Sequence, residues 1–203
     1  MAIHKGRAWG SLGALPDDGV VVRSDAEARA VVSEARRAGA PLPALGLLGG
    51  DLCRTLGGRG DEGRLRSPEA MTLPCDLGVV VLDGRPQLFV AHLVARRAWW
   101  RGRAYVAMNA AWLGAWNLGP SAHPGDGLLD TYDARLPPGQ VLAVRARLAQ
   151  GAHLPHPGIS GRRAGAVEVD LGASLAVHLD GEVVGAARTL SIYVEPDALT
   201  VVV

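Results

Sequence analysis

Four segments of the chain carry side chains that could do chemistry, and the first is Asp180-Gly181-Glu182, in which two carboxylates flank a glycine. Asp-Gly between runs of alternating apolar residues is typical of a hairpin turn, because both turn positions favour positive φ. The residues alone therefore favour a turn. A second segment, Ser121–Asp130, reads SAHPGDGLLD, and on its own it predicts a tight loop held by an Asx turn.

The third segment, Gly46–Gly57, reads GLLGGDLCRTLG, a glycine-rich turn that leads into a helix. Backbone N–H groups at a helix start can cradle an anion. The segment has neither dinucleotide-binding nor P-loop spacing, so as a motif it is weak.

The fourth segment, Arg96–Arg103, reads RRAWWRGR and is followed by Trp112 and Trp116. Arginines beside tryptophans suit an anionic membrane surface. Cation–π packing within the fold or a dimer contact explains the same residues. We favour core or interface packing over lipid contact, because the sequence lacks a long amphipathic helix. His153 and His156 share a Pro-rich segment without a third metal ligand, so a loop is the simpler interpretation.

Composition excludes several classes of protein. The chain has 203 residues, of which 48% are hydrophobic, so it can fold by burial alone. A formal net charge of +1 argues against nucleic-acid binding, which needs a concentrated basic face. Cys53 and Cys75 have no metal-binding spacing, which indicates a reduced, cytoplasmic protein. We see no signal peptide and no apolar run long enough to span a membrane.

The first quarter of the chain predicts a strand followed by a helix. Val20–Arg23 reads as a short strand. Ser24 and Glu27 form a capping box, in which each side chain can satisfy a backbone N–H at the helix start. Gly39 is a natural stop. Apolar residues between these limits recur at helical spacing, namely Ala28, Val31, Val32 and Ala35.

Ala44–Leu48 predicts a buried strand, and Asp51–Leu56 predicts a short helix between glycines. Residues 58–74 read as a polar connector. One strand–helix–strand unit is a small α/β layer rather than a complete nucleotide-binding domain.

Beyond the connector the hydrophobic period changes to two. Leu77–Leu82 and Leu88–Val94 flank Asp83-Gly84, which predicts a hairpin. Val141–Ala149 predicts a short helix, with Val141, Val144, Arg145 and Leu148 on one face. The remaining strands are short, which favours an antiparallel sandwich or barrel; they are Arg103–Asn109, Leu129–Leu136, Val167–Leu171, Leu175–Leu179, Val183–Gly185, Leu190–Val194 and Leu199–Val203.

The order LPCDLGVVV, YVAMNAAWLG, GPSAHPGDGLLD, LDGEVVG and VEPDALTVVV resembles the C-terminal domain of the diacylglycerol kinase and sphingosine kinase family, the bacterial lipid kinases. The resemblance implies an α+β fold that is mainly β: an antiparallel sandwich or barrel with one or two helices over residues 75–203. Residues 1–74 would be a truncated α/β remnant of the nucleotide-binding domain plus the connector.

The resemblance also assigns site residues. Glu182 would be the general base that takes the proton of the lipid hydroxyl, beside Asp180. The carboxylate of Asp126 and the backbone carbonyls of His123 and Leu128 would hold a Mg²⁺ outside the chemical centre. Oxygen ligands suit this ion, although one carboxylate makes a weak cage. Such an ion would be structural.

The nucleotide site is degenerate by the same comparison. The family's Gly-Gly-Asp-Gly-Thr phosphate loop is absent, and too few residues precede the resemblance to hold its domain. Gly49, Gly50 and Asp51 fall in the conserved Gly-Thr-x-Asn-Asp segment, where Asp51 stands at the last Asp, but Leu48 takes the place of its Thr and Gly50 that of its Asn. Because phosphoryl transfer depends on positioning and charge neutralisation, we expect no ATP binding by the isolated chain.

Three functions follow as expectations. The chain is a catalytically degenerate family member that binds a lipid or another apolar small molecule. Alternatively, it is an active ATP-dependent lipid kinase completed by a partner nucleotide-binding chain or by homodimerisation. A non-catalytic assembly protein is the third. We expect a cytoplasmic location, with peripheral contact at the membrane under the lipid-binding reading.

Overall fold

The structure, a computed structural model, describes residues 9–82, 84–98 and 101–203. The helices are α1 (Asp25–Arg37), α2 (Gly50–Thr55), α3 (Glu62–Leu65) and α4 (Pro138–Leu148). The strands are β1 (Ser11–Leu12), β2 (Val20–Val22), β3 (Leu45–Leu47), β4 (Met71–Leu82), β5 (Arg85–Phe89), β6 (His92–Ala98), β7 (Arg101–Met108), β8 (Leu129–Arg135), β9 (Ile159–Ala164), β10 (Ala166–Leu179) and β11 (Glu182–Val202).

The strands form a mostly antiparallel sheet in the order β1-β4-β11-β10-β6-β7-β8-β9, with β5 beside β4. This confirms the predicted fold class, a β-sandwich-like domain with few helices. β2 and β3 are parallel to each other, and β3 continues in parallel onto the end of β11, where Val201 lies opposite Leu45. The small α/β layer therefore shares one sheet with the sandwich.

Helix α1 begins and ends where the sequence predicts. The Ser24 hydroxyl accepts a hydrogen bond from the N–H of Glu27 at 3.1 Å. The Glu27 carboxylate accepts from the N–H of Arg23 at 2.6 Å, one residue before the partner that a capping box predicts. Gly39 lies just beyond the helix with φ of +63°. Ala28 and Val32 are buried, so the helix packs through the predicted apolar face.

The N-terminal residues from Trp9 onward share their core with the sandwich. Side chains of β2, α1, β3 and α2 pack in one cluster with side chains of β4 and of the end of β11; the cluster includes Val22, Val32, Leu45, Leu52, Leu73, Leu77, Leu199 and Val201. The boundary that we predicted between residues 74 and 75 falls inside β4. That boundary stays a prediction.

Several elements differ from the sequence-based prediction. The predicted strand Leu88–Val94 is split between β5 and β6, because Val90 and Ala91 turn their N–H groups toward a carboxylate described below. The predicted connector contains α3, and β9 was not predicted. Asp83 of the predicted hairpin turn lies outside the described residues, although Leu82 pairs with Arg85 as that hairpin requires.

The last five predicted strands are two continuous strands, β10 and β11. Irregularities between Asp170 and Leu175 and between Glu195 and Leu199 shift the register without ending the strands. The residues that predict turns at these positions therefore mark irregularities inside a strand and not its ends. Within the described ranges, no helix is long and apolar enough to cross a membrane.

Candidate functional site

Asp180 lies in the turn between β10 and β11, with a φ of +50°. Its carboxylate accepts hydrogen bonds from the backbone N–H groups of Val90 and Ala91, both at 2.9 Å, and of His92 at 3.1 Å. The side chain is 0% exposed. Asp180 is therefore both the predicted turn residue and a buried acceptor that joins the β10–β11 turn to the segment between β5 and β6.

His92 and Asp51 form the next contact in this cluster. Nε2 of His92 lies 3.0 Å from Oδ2 of Asp51, which stands in the first turn of α2. The N–H of Gly114 lies 2.9 Å from both carboxylate oxygens of Asp51. The structure thus brings Asp51 and Asp180 to the same site through His92, which sequence reasoning assigned to an ordinary strand.

Asp25 completes the cluster from the start of α1. Its carboxylate accepts hydrogen bonds from the N–H groups of Asp51 at 2.6 Å and of Leu52 at 3.1 Å. These groups stand at the start of α2, where N–H groups have no acceptor within their own helix. A Cβ on Gly50, where φ is +95°, would lie 2.5 Å from Oδ1 of Asp25. A Cβ on Gly49 would lie 2.5 Å from the carbonyl oxygen of Arg23. The glycine-rich turn therefore makes room for a carboxylate of the chain itself.

Burial and mutual repulsion perturb the titration of these groups. Burial, and then the negative charge of Asp180, raise the pKa of Asp25 to about 6. Burial also raises the pKa of Asp180. Burial alone would lower the pKa of His92, but the hydrogen bond with Asp51 and the charge of Asp180 outweigh it and raise that pKa. Burial opposes ionisation of Asp51, yet the bond from His92 holds its pKa below the usual value.

Glu182, the predicted general base, lies at the edge of this cluster. Its side chain is 63% exposed and forms an ion pair with Arg29. The Nε of Arg29 lies 3.7 Å from the Asp180 carboxylate. His92 and Gly181 line an open cleft of about 230 Å³, and Glu182 is not among the residues that line it. Its role as a base stays a prediction.

The predicted magnesium ligands lie elsewhere, in the loop before β8. The Asp126 carboxylate accepts a hydrogen bond from the N–H of Leu128 at 2.9 Å, as an Asx turn does, and forms an ion pair with Arg163. The carbonyl of His123 accepts from the N–H of Gly125 at 2.9 Å. A guanidinium of the chain thus already neutralises Asp126. Magnesium binding by Asp126, His123 and Leu128 stays a prediction.

Of the arginine and tryptophan segment, Trp99 and Trp100 lie outside the described residues. The guanidinium carbon of Arg54 lies 3.4 Å from the centre of the Trp112 ring, so this tryptophan packs within the fold. Arg54 also donates a hydrogen bond to the carbonyl of Gly114 at 2.9 Å. The loop that carries Trp112 and Gly114 is thereby fixed over α2.

Sequence reasoning missed Asp25 and His92. A signal existed for Asp25, because the turn between β2 and α1 reads Arg23-Ser24-Asp25-Ala26-Glu27. The aspartate of a Gly-Gly-Asp-Gly-Thr loop also stands third of five positions, but here Arg23, Ser24 and Ala26 replace the three glycines and Glu27 replaces the threonine, so Asp25 alone agrees. His92 offered no local signal, since a single histidine in a strand is uninformative.

A second feature is an apolar cavity of about 60 Å³ between α4 and the sheet. The side chains that line it come from α4, β7, β8, β9 and the flanking loops; among them are Ala104, Val106, Leu118, Tyr132, Ala134, Val144, Leu148, His153 and Ile159. Of the predicted face of α4, Val144 and Leu148 are buried. Leu142 on the opposite side is 75% exposed.

His153 is a polar side chain that lines this cavity and is itself buried. It is 4% exposed and donates a hydrogen bond to the backbone carbonyl of Leu118. Its Nδ1 is buried without a hydrogen-bond partner among the described residues. The ring lies edge-on to Tyr132, with centroids 6.4 Å apart. The neutral imidazole therefore keeps one acceptor atom available in an apolar environment.

The burial of His153 predicts a pH dependence of stability. Burial lowers the pKa of His153 below the ordinary value of 6.5, so the unfolded chain takes up a proton that the folded chain resists. The stability that the neutral ring confers is fully present above pH 6.5 and decreases as the pH falls toward the folded-state pKa. Urea unfolding of the wild type and His153→Leu at about pH 7.5 and about pH 5.5 measures this contribution.

The wild type should lose more stability on acidification than His153→Leu. Groups with raised pKa values, such as Asp25 and Asp180, act in the opposite direction, but they are common to both proteins and cancel in the difference. Equal losses in the two proteins would show that His153 is not buried in its neutral form.

The mostly antiparallel, sandwich-like sheet with few helices is consistent with the C-terminal domain of lipid kinases. The chain belongs to the family described as the YegS C-terminal NAD kinase beta sandwich-like domain, whose model matches residues 76–203. This confirms the resemblance to diacylglycerol kinase-like lipid kinases.

Solved structures agree with this fold. A crystal structure of a candidate diacylglycerol kinase from Bacillus anthracis str. Sterne superposes with a TM-score of 0.69 at 14% identity, covering 91% of this chain and 77% of that chain. A second structure of a candidate diacylglycerol kinase from the same organism gives 0.65 at 14% identity, with the same coverage. At this identity the likeness shows the fold alone. No curated protein sequence matches the chain.

Proposed function

We propose that this protein binds an apolar ligand that carries a hydroxyl group, in the manner of a lipid, and that the isolated chain does not transfer phosphate from ATP. The observation that carries the binding function is the cavity under α4. Its lining residues are apolar except for His153 and Tyr132. The chain that holds it belongs to a lipid kinase-like family.

The lining suits an alkyl chain with one polar end. Each buried methylene contributes about 0.8 kcal/mol to binding, so a few carbons are enough for measurable affinity. The unpartnered Nδ1 of His153 can accept a hydrogen bond from a ligand hydroxyl. That bond would satisfy a buried polar atom, which favours a hydroxyl-bearing ligand over a pure hydrocarbon.

Helix α4 supports the proposal because it can act as a lid. The cavity of about 60 Å³ accommodates only a short apolar segment, so a longer ligand requires α4 to move outward. Two side chains of the helix, Val144 and Leu148, are buried, which is a small interface for an element of this length. Pro137 caps its start, Pro138 is its first residue, and Gly151, with φ of +67°, follows it; these residues set its limits.

The acidic cluster supports the loss of phosphoryl transfer. A phosphate group binds where free N–H groups and positive charge converge, as at a helix start. Here the Asp25 carboxylate already accepts the N–H groups of Asp51 and Leu52, and the Glu27 carboxylate accepts that of Arg23. The start of α2 is thus capped by a carboxylate and a second carboxylate lies beside the start of α1, so phosphates of ATP would meet repulsion in place of donors.

A cavity-filling variant tests ligand binding. In Ala104→Phe or Ala134→Phe the new ring occupies the space under α4, so we expect the affinity for dioctanoylglycerol to fall by roughly 10-fold or more, the equivalent of about two lost methylene contacts. Fluorescence competition with an alkyl-chain probe measures this. Ala173→Phe, which adds a ring at an exposed position of β10, should bind as the wild type does.

The result separates the alternatives. Equal binding by wild type and Ala104→Phe, or no binding by either, would contradict the cavity as the ligand site. Saturable affinity for Mg·ATP in calorimetry, alone or with a partner chain, would instead support a kinase completed by another subunit. Stable homodimers that do not respond to either ligand would favour an assembly protein.

A further inference from the structure

The side chains of Asp25, Asp51 and His92 offer two carboxylates and one imidazole to a common point. One ligand atom from each residue lies within 4.8 Å of the others. Nε2 of His92 and Oδ2 of Asp51 are 3.0 Å apart. Ligand atoms that each lie about 2.0–2.2 Å from a zinc ion are separated by roughly 3–3.6 Å, so Asp25 needs only a small movement to complete such a set.

The carboxylates are held in place before any ion arrives. The N–H groups of Asp51 and Leu52 fix Asp25, and the N–H of Gly114 fixes Asp51. Metal-binding carboxylates are commonly oriented by such outer hydrogen bonds. Asp180 accepts the N–H of His92 and so fixes the strand that presents the imidazole.

The charge of the cluster favours a cation. Asp25, Asp51 and Asp180 place three carboxylates around one imidazole, with His92 3.0 Å from Asp51 and the Arg29 guanidinium 3.7 Å from Asp180. Arg29 is already shared with Glu182. Buried carboxylates are costly when they are not neutralised, which a divalent ion would do.

His92 adds a buried imidazole to the carboxylates of the cluster. Its side chain is 4% exposed, and Nε2 is aimed at Asp51 inside the cluster. Its Nδ1 has no hydrogen-bond partner within the described part of the chain. His92 and Gly114 also line the open cleft of about 230 Å³, which gives an ion and a water molecule a path to the cluster.

We propose that Asp25, Asp51 and His92 bind a first-row divalent transition ion, with zinc as the representative, and leave an open position toward the cleft. Three protein ligands with a free position is the arrangement of catalytic zinc sites, and an imidazole ligand favours zinc over magnesium. The site goes beyond the apolar-ligand function, because it lies at the start of α2 and not under α4.

Cobalt substitution tests the site. The metal-free protein, prepared by dialysis against a chelator, should take up one Co²⁺ per chain and develop visible absorption bands that the hydrated ion lacks. Zinc should displace the cobalt and abolish the bands, and magnesium in large excess should not. His92→Gln and Asp51→Asn should each weaken cobalt binding by roughly 100-fold, since each removes a direct ligand.

His178→Gln is the matched control, because His178 lines the same cleft without belonging to the cluster. It should bind cobalt within about threefold of the wild type. Bands that persist in His92→Gln, or that disappear in His178→Gln, would overturn the proposal, as would cobalt uptake without new bands. Thermal unfolding of each metal-free variant shows that the fold is intact. Cobalt binding by Asp25→Asn, measured in the same way, tests the third ligand.

Discussion

Asp180→Ala should destabilise the protein by on the order of 4 kcal/mol, because the change leaves the N–H groups of Val90, Ala91 and His92 without an acceptor in the interior. A buried donor that loses its partner costs about 1–3 kcal/mol, and the three costs are not fully additive. Loss of a buried negative charge, whose ionisation burial opposes, offsets part of this.

Urea unfolding followed by circular dichroism measures the change. Glu168→Ala is the control, since it removes an exposed carboxylate from the same strand, β10, and should alter stability by less than about 0.5 kcal/mol. Asp180→Asn should lie between the two, because an amide keeps one acceptor oxygen and turns a donor toward the remaining N–H groups. A loss under about 1 kcal/mol for Asp180→Ala would show that these N–H groups reach other acceptors.

The fold was predictable where local chemistry determines it. Helix α1 was located from Ser24, Glu27 and Gly39, each of which acts on its own neighbours in the chain. The β4–β5 hairpin followed from alternating residues about an Asp-Gly pair. The extent of β10 and β11 was not predictable, because irregularities inside a long strand carry the same local residues as the turns that end one.

The site was predictable only in part, because residues far apart in the chain come together to form it. Asp51 and Asp180 were identified separately, yet the contact that joins them runs through His92, and that contact depends on tertiary structure. Asp25 lies in a helix start, where an acidic residue is expected to act on its own helix. In the structure it instead caps α2, which no local pattern indicates.

The glycines at the start of α2 show how one sequence feature supports two different sites. Gly49 and Gly50 read as an anion cradle, and the structure confirms that their missing side chains leave space at a helix start. That space is filled by Asp25 and not left open to solvent. A cradle filled by a carboxylate repels phosphate and attracts cations, so the space beside Gly49 and Gly50 supports the proposed ion site better than a phosphate site.

Gly78→Ala is the second substitution for which we expect a large loss of stability, on the order of 3 kcal/mol, through overpacking. Gly78 of β4 lies opposite Phe89 of β5, and a Cβ at residue 78 would lie 2.2 Å from the ring. Phe89 is fully buried, so the ring cannot move away without displacing the backbone. That backbone continues directly into Val90 and Ala91, whose N–H groups hold Asp180.

A double-mutant cycle with Phe89→Leu distinguishes this contact from a general sensitivity of β4. The smaller side chain should relieve the overlap, so Gly78→Ala should cost about 1 kcal/mol or more less in the Phe89→Leu background than in the wild type. Gly139→Ala is the control, since a Cβ there meets no atom within 4 Å, and it should be neutral or stabilising by up to about 1 kcal/mol. Equal costs of Gly78→Ala in both backgrounds would mean that Phe89 does not pack on Gly78, and the register of β4 and β5 would then have to differ.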